Sequence, residues 1–232
     1  MITFKSIFDG ALPLFDDPDI RSASINDPVA YEKMMLPFLR DAVASFIMPS
    51  VIASKLYSTS EPQGQSESFA GTGAATYDLS ISPVDGAVFS YYVDGSPITG
   101  ASYDATANTV TFPSAIATTS TASVAWYFAG AFTADFTGCF RSDIDINVVM
   151  SMTTNILAHK LVAAWDYNEM NRALDIRNIP TDTDFKISSP ANSAKAKVEH
   201  HRQGVLNEED RLTSALGWYI QAMPQGGYRF GQ

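Results

Sequence analysis

Apolar residues recur at helical spacing at both ends of the chain and alternate with small polar residues in the middle. At the start, Phe4, Ile7, Phe8, Ala11 and Leu12 fall on one side of a helix over residues 3–14. Asp16-Asp17-Pro18 closes that pattern. Asp27-Pro28 reads as an N-cap and a first-turn proline. The helix it opens carries Tyr31, Met34, Met35, Phe38, Leu39, Ala42, Val43, Phe46 and Ile47, with a kink expected at Pro37 and an end at Pro49. Residues 51–57 fit one more helical turn better than an entering strand.

Residues 58–75 read as a polar Gly/Ser/Thr linker. Beyond it the period becomes two. Strands are expected over Tyr77–Ile81, Val88–Val93, Ser102–Asp104, Thr109–Phe112 and Ser123–Phe128, with turns at Asp94-Gly95 and Ala105–Asn108. Helical spacing then returns. Ser142 followed by Asp145 resembles a capping box, and Ile144, Val148, Met152, Ile156, Leu157, Leu161, Val162 and Trp165 form a stripe running on toward Pro180. Ser189-Pro190 opens a last helix, where Val198, Val205, Leu212 and Tyr219 recur every seven residues. Such a seam suits packing on another helix, in this chain or a neighbouring one. The ending, Pro224 to Gln232, has three glycines and two aromatics and reads as an extended arm.

These elements predict an α+β fold: a helical bundle with an inserted small antiparallel β-sandwich or barrel and a C-terminal arm. The expected segments are 1–67, 68–132, 133–223 and 224–232.

Charge sharpens the division. From Leu56 to Phe140 there is no lysine or arginine, whereas basic residues occur on both sides. The whole chain carries a formal charge of −10, with 17% charged residues. An acidic surface does not neutralise phosphates, so nucleic-acid gripping is excluded, although DNA can slide past a repelling wall. The low charge content is what surfaces buried against partners would need, and a coat of Ser, Thr, Asn and Ala would also produce it. The single cysteine, Cys139, makes no intrachain disulfide, and neither a signal peptide nor a membrane-spanning stretch is expected.

Catalytic and metal chemistry find no support in the spacing. His159 sits near an apolar stripe, and the adjacent His200 and His201 point to different helix faces. The pairs Asp16/Asp17, Asp143/Asp145 and Asp182/Asp184 lie at helix ends or turns, and Glu208/Glu209/Asp210 lie on a helix face. Asp135 with Asp143 and Asp145 lacks a calcium-loop glycine. Gly71-Thr-Gly73 has no following Lys-Ser/Thr, so it is not a phosphate cradle. No enzyme activity, cofactor or metal is expected.

The opening MITFKSIFDGALPLFDDPDI…DPVAYEKMMLPFLRDAV and the later AAWDYNEMNRALDIRNIPTDTDFKISSPANSAKAKVEHHR resemble tailed-bacteriophage neck proteins of the head-to-tail connector, or adaptor, family. The middle stretch, from YYVDGSPITG to AWYFAGAF, resembles small β modules of phage necks and tails. The resemblance covers most of the chain, and its motifs are diffuse. It implies a virion structural protein assembled in the host cytoplasm into a ring, commonly twelvefold. Such a ring would lie between the portal and a downstream neck or tail protein, with DNA passing through unbound. The family's portal-binding arm corresponds to residues 224–232, with Tyr228, Arg229 and Phe230 as anchors. Two other readings stand beside it. One is a tail terminator or baseplate ring. The other is a carbohydrate-binding β module stacking sugars on Tyr91, Tyr92, Tyr103, Trp126 and Tyr127.

Overall fold

A computed structural model describes residues 1–47, 50–136, 145–177, 195–207 and 209–210. It is α+β, with helices and antiparallel sheets. The chain forms two compact units: Thr3–Pro37 with Ser60–Ala131, and Met1–Ile2 with Phe38–Thr59 and Phe132–Gln232. Two-residue strands, β1 (Ile2–Thr3) and β9 (Ala131–Phe132), coincide with two of the crossings from one unit to the other.

In the first unit, α1 (Phe4–Ala11) starts at Thr3, whose hydroxyl accepts from the Ser6 N–H at 3.2 Å. Its expected face is the buried one: Phe4, Ile7, Phe8 and Ala11 are in the core. The structure adds a helix that the periodicity hid, α2 (Pro18–Asn26). Asp17 caps it by accepting from the Asp19 N–H at 2.8 Å, and Pro18 takes the first turn. Asp16-Asp17-Pro18 therefore opens a helix as well as following one. Of the residues in α2 only Ile20 is buried, so no apolar stripe marked it. α3 (Pro28–Ala44) continues through Pro37, and the unit boundary falls there.

The same unit holds two antiparallel sheets. One has the order β2 (Gln63–Ala70), β8 (Thr121–Phe128), β4 (Val88–Val93), β5 (Ser96–Ile98). The other has the order β3 (Thr76–Asp78), β7 (Thr109–Thr111), β6 (Ser102–Asp104). The stretch expected as linker contains β2, paired with β8 over its full eight residues. It was illegible because it is an edge strand: it runs Gln-Gly-Gln-Ser-Glu-Ser-Phe-Ala and none of it is fully buried, so alternation never shows. Both expected turns are present. Asp94 and Gly95 have φ of 51° and 79°, both in the left-handed region, as a type I′ hairpin turn demands. Asp104 accepts from the Thr106 N–H at 2.8 Å, and Asn108 (φ 55°) donates to the Leu79 carbonyl at 2.8 Å.

Leu79, Val110, Phe112, Ile116, Ala122 and Val124 form a common core for the two sheets, with Phe89, Tyr91 and Tyr103 packed on it. Burying each of the larger side chains contributes roughly 1.5–3 kcal/mol. Just beyond β2, Gly71 lies so close to the 117–120 turn that a Cβ there would stand 1.8 Å from the Ala117 carbonyl oxygen. Gly71→Ala is expected to lower the unfolding free energy by at least about 2 kcal/mol, because backbone rather than a movable side chain must yield. A denaturant midpoint unchanged from the parent would contradict this.

In the second unit, α3 ends at Ala44, α4 (Ser50–Ala53) follows, and α5 (Ile146–Arg177) is the long element. A further helix, α6, spans 195–207. α5 opens at Asp145, which accepts from the Asn147 N–H at 2.8 Å; Ser142 and Ile144 lie outside the described residues. Its inner face runs through Val149, Thr153, Ile156, Leu157 and Leu161, while Val148 is 49% exposed. Among the described residues the buried face therefore takes Val149 and Thr153 in place of the expected Val148 and Met152, with spacing i, i+4, i+7 and i+8. Along α3, Met34 is exposed, as is Ile47 just beyond the helix, against expectation.

Candidate interaction surfaces

Asp27 ties the start of α3 to the sheet. One carboxylate oxygen accepts from the Ala30 N–H at 3.0 Å and the Ser90 hydroxyl at 2.6 Å. The other accepts from the Tyr92 hydroxyl at 2.7 Å. Ser90, 1% exposed, in turn accepts from the Val29 N–H at 3.0 Å. Burial alone would raise the Asp27 pKa. The Ser90 and Tyr92 hydroxyls, the Ala30 N–H and the Lys33 charge outweigh it and hold the carboxyl below its ordinary range.

One turn along α3, Glu32 is 3% exposed. Burial, with the Asp9 charge adding to it, pushes its pKa up to about 8 against the opposing pull of Lys5 and the Ala129 backbone. At neutral pH this carboxyl is mostly protonated. Neither residue carried a signal as a buried group: Asp27 read only as a cap, and a lone Glu among apolar residues reads as solvated.

In the other unit, Lys160 of α5 donates to the Ser45 carbonyl, just past the end of α3, at 3.1 Å. Its Nζ also pairs with Glu209 at 3.0 Å and stands 5.9 Å from the centre of the Phe46 ring. A cation at a helix C-terminus is favourable, because unpaired carbonyls collect there. Alongside runs a groove of about 430 Å³ lined by residues of α3, α5 and α6, including Ala42, Ala164, Tyr167, Val198 and Arg202. Of the four seam residues, Val198 and Val205 line this groove with residues of the same chain, and Val205 is buried. Leu212 and Tyr219 lie outside the described residues, as do Tyr228, Arg229 and Phe230.

His201, also buried, lies 3.5 Å from Asp166 across α5 and α6, and its ring centre is 5.9 Å from that of His159. Among the described residues no group of His, Cys, Asp or Glu could hold a metal ion. Cys139 and Asp143 lie outside them. No helix among the described residues is long and apolar enough to cross a membrane.

The five aromatics of the carbohydrate reading do not share a face. The β4–β8 register places Tyr91 and Trp126 on the same side as Phe89, where Tyr103 stacks on Phe89 with centres 4.7 Å apart. Tyr92 and Tyr127 point the other way, toward Asp27 and Lys33 respectively. Trp126 is only 5% exposed, leaving little ring for a sugar.

Comparisons with protein-family models, curated proteins and solved structures found no match.

Proposed function

We propose that this chain is a non-enzymatic structural protein of the tailed-phage neck, a head-to-tail adaptor that forms a ring between the portal and the next neck or tail protein. The observation that carries the reading is a β module without a cation. Residues 60–131 contain Glu61, Glu67, Asp78, Asp85, Asp94 and Asp104 and no lysine or arginine. A wall of that charge repels a DNA backbone and lets it slide. Support comes also from the resemblance of both helical stretches to adaptor proteins, and from carboxylates used for capping and ties. Asp17, Asp27 and Asp145 cap helices, and Glu67 holds the backbone of Ser80 and Ile81.

In this reading the helical segments meet neighbouring subunits, and the acidic module faces the channel or projects toward the tail. The test is to mix the purified chain with portal rings and image the product. A chain that is monomeric alone and forms a twelvefold ring on the portal is the expected outcome. A sixfold ring would assign it to the tail, and failure to associate with the portal under any condition would overturn the adaptor reading.

A further inference from the structure

The two edges of the four-stranded sheet are built differently. β5 is three residues long and contains Pro97, which has no N–H to offer. Short length and proline are the ordinary ways in which a sheet blunts its edge. β2 is eight residues long, keeps unbroken register with β8, and contains no proline, lysine or arginine. Its one charged side chain, Glu67, is turned to the backbone N–H groups of Ser80 and Ile81, at 2.9 and 3.1 Å. Neither proline nor a cationic side chain interrupts that edge.

The register says which groups that edge offers. The Gly71 N–H donates to the Ser120 carbonyl at 2.9 Å, so Gly71 and Ser120 are a hydrogen-bonded pair. Bonded pairs recur every second residue in an antiparallel ladder. Phe69, Glu67, Gln65 and Gln63 therefore bond to β8, and Gly64, Ser66, Ser68 and Ala70 point their N–H and C=O groups outward. The carbonyl of Thr121, partner of Ala70, accepts from Asp94 on the opposite side, as this phase requires. All four outward residues are small and exposed. Beside Gly64 lies the Tyr127 ring, whose Cδ2 would be 2.7 Å from a Cβ added there.

An added strand must be extended, free of acidic residues because the module is acidic throughout, and able to fill the space beside small residues. Residues 224–232 of this chain, Pro-Gln-Gly-Gly-Tyr-Arg-Phe-Gly-Gln, lie outside the described residues; they contain no acidic residue and offer two aromatics, Tyr228 and Phe230. Arg229 is their one charged side chain. Extended, nine residues reach about 30 Å, enough to cover eight residues of strand. With period two, Tyr228 and Phe230 share a face opposite to that of Arg229.

We propose that the outer edge of β2 receives residues 224–232 of a second copy of this chain as an added strand. Tyr228 and Phe230 lie on the Ser66–Ser68 side, toward Tyr127, and Arg229 lies on the Glu67 side. The main-chain ladder supplies affinity, and the alternating side chains supply register. The inference rests on the ring reading, because a head-to-tail contact between neighbours is what closes a ring. It gives this segment to the adjacent subunit in place of the portal contact that the resemblance implies.

Two full-length chains test it, both carrying Cys139→Ser, one with Ser66→Cys and the other with Phe230→Cys. Mixed under mild oxidation, they are expected to form a covalent pair in at least about tenfold excess over either chain alone. Ser68→Pro removes an outward N–H without touching a β8 bond. It is expected to reduce that cross-link about tenfold while the circular dichroism of the chain is retained. If Ser68→Pro disturbs the fold, Ser68→Lys serves the same purpose. No cross-link, although a maleimide labels both cysteines, would overturn the proposal, and so would a cross-link indifferent to Ser68→Pro and Ser68→Lys. Deleting 224–232 separates the two readings: rings that still form on the portal sink the edge contact and leave the adaptor reading standing. A cross-link with no portal association leaves the edge contact and sinks the adaptor.

Discussion

Glu32→Gln is expected to stabilise the protein by several kcal/mol above pH 8 and hardly at all near pH 4.5. The carboxyl is almost fully buried, and its pKa stands at about 8 in the folded chain against an ordinary value of 4.5. Below the lower value both folded and unfolded chains hold the proton, and the native state has its full stability. As pH rises from there, the unfolded chain releases the proton and the folded chain keeps it, so stability falls by about 1.4 kcal/mol per pH unit. The loss is complete once pH has passed the folded value, at a ceiling of roughly 5 kcal/mol. Glutamine keeps the shape, accepts from the Ala129 backbone as the carboxyl does, and carries no ionisable proton. Denaturant unfolding of parent and variant at about pH 5 and about pH 9 measures the difference. Equal gains at the two pH values would show that Glu32 does not titrate in this window.

Asp27→Ala is expected to destabilise the protein by about 3 kcal/mol, combining loss of a helix cap with loss of charge-assisted bonds to two hydroxyls. Ser90 is buried, so its hydroxyl loses an acceptor with no water to replace it. Tyr92 loses the acceptor that ties the sheet to α3. Asp27→Asn separates charge from geometry: it retains a cap and an acceptor and should recover about half of the loss. The pH dependence is opposite in sign to that of Glu32. Because the folded pKa of Asp27 is depressed, its contribution is present above the ordinary value of 3.8 and is lost as pH falls through the folded value. A Ser90→Ala, Tyr92→Phe double variant as stable as the parent would show that the node does not hold α3 to the sheet.

The helix α1 was legible because Phe4, Ile7, Phe8 and Ala11 are all buried and spaced for one face. The hairpin at Asp94-Gly95 was legible because few residue pairs tolerate two left-handed conformations in succession. α2 and β2 were not, for one common reason. Each leaves most of its side chains exposed, so composition there reports solvent and says nothing of backbone pairing. Trp126 and Tyr127 illustrate the same limit. Both lie side by side in one strand of the module, but only the β4–β8 register shows that Trp126 faces the inter-sheet core and Tyr127 faces α3.

By itself the sequence determined the alternation of helical and strand periods, the turns that punctuate it, and the absence of positive charge from Leu56 to Phe140. These are local properties, set by propensity, cap chemistry and side-chain type. Tertiary structure alone decided that Asp27 is a helix cap shared with the sheet, that Glu32 is buried with its pKa raised, and that β2 is an edge with four residues turned outward. Each of those depends on what a distant part of the chain places beside the residue. Burial, hydrogen-bond partners and strand phase belong to pairs of segments, and no single segment encodes them.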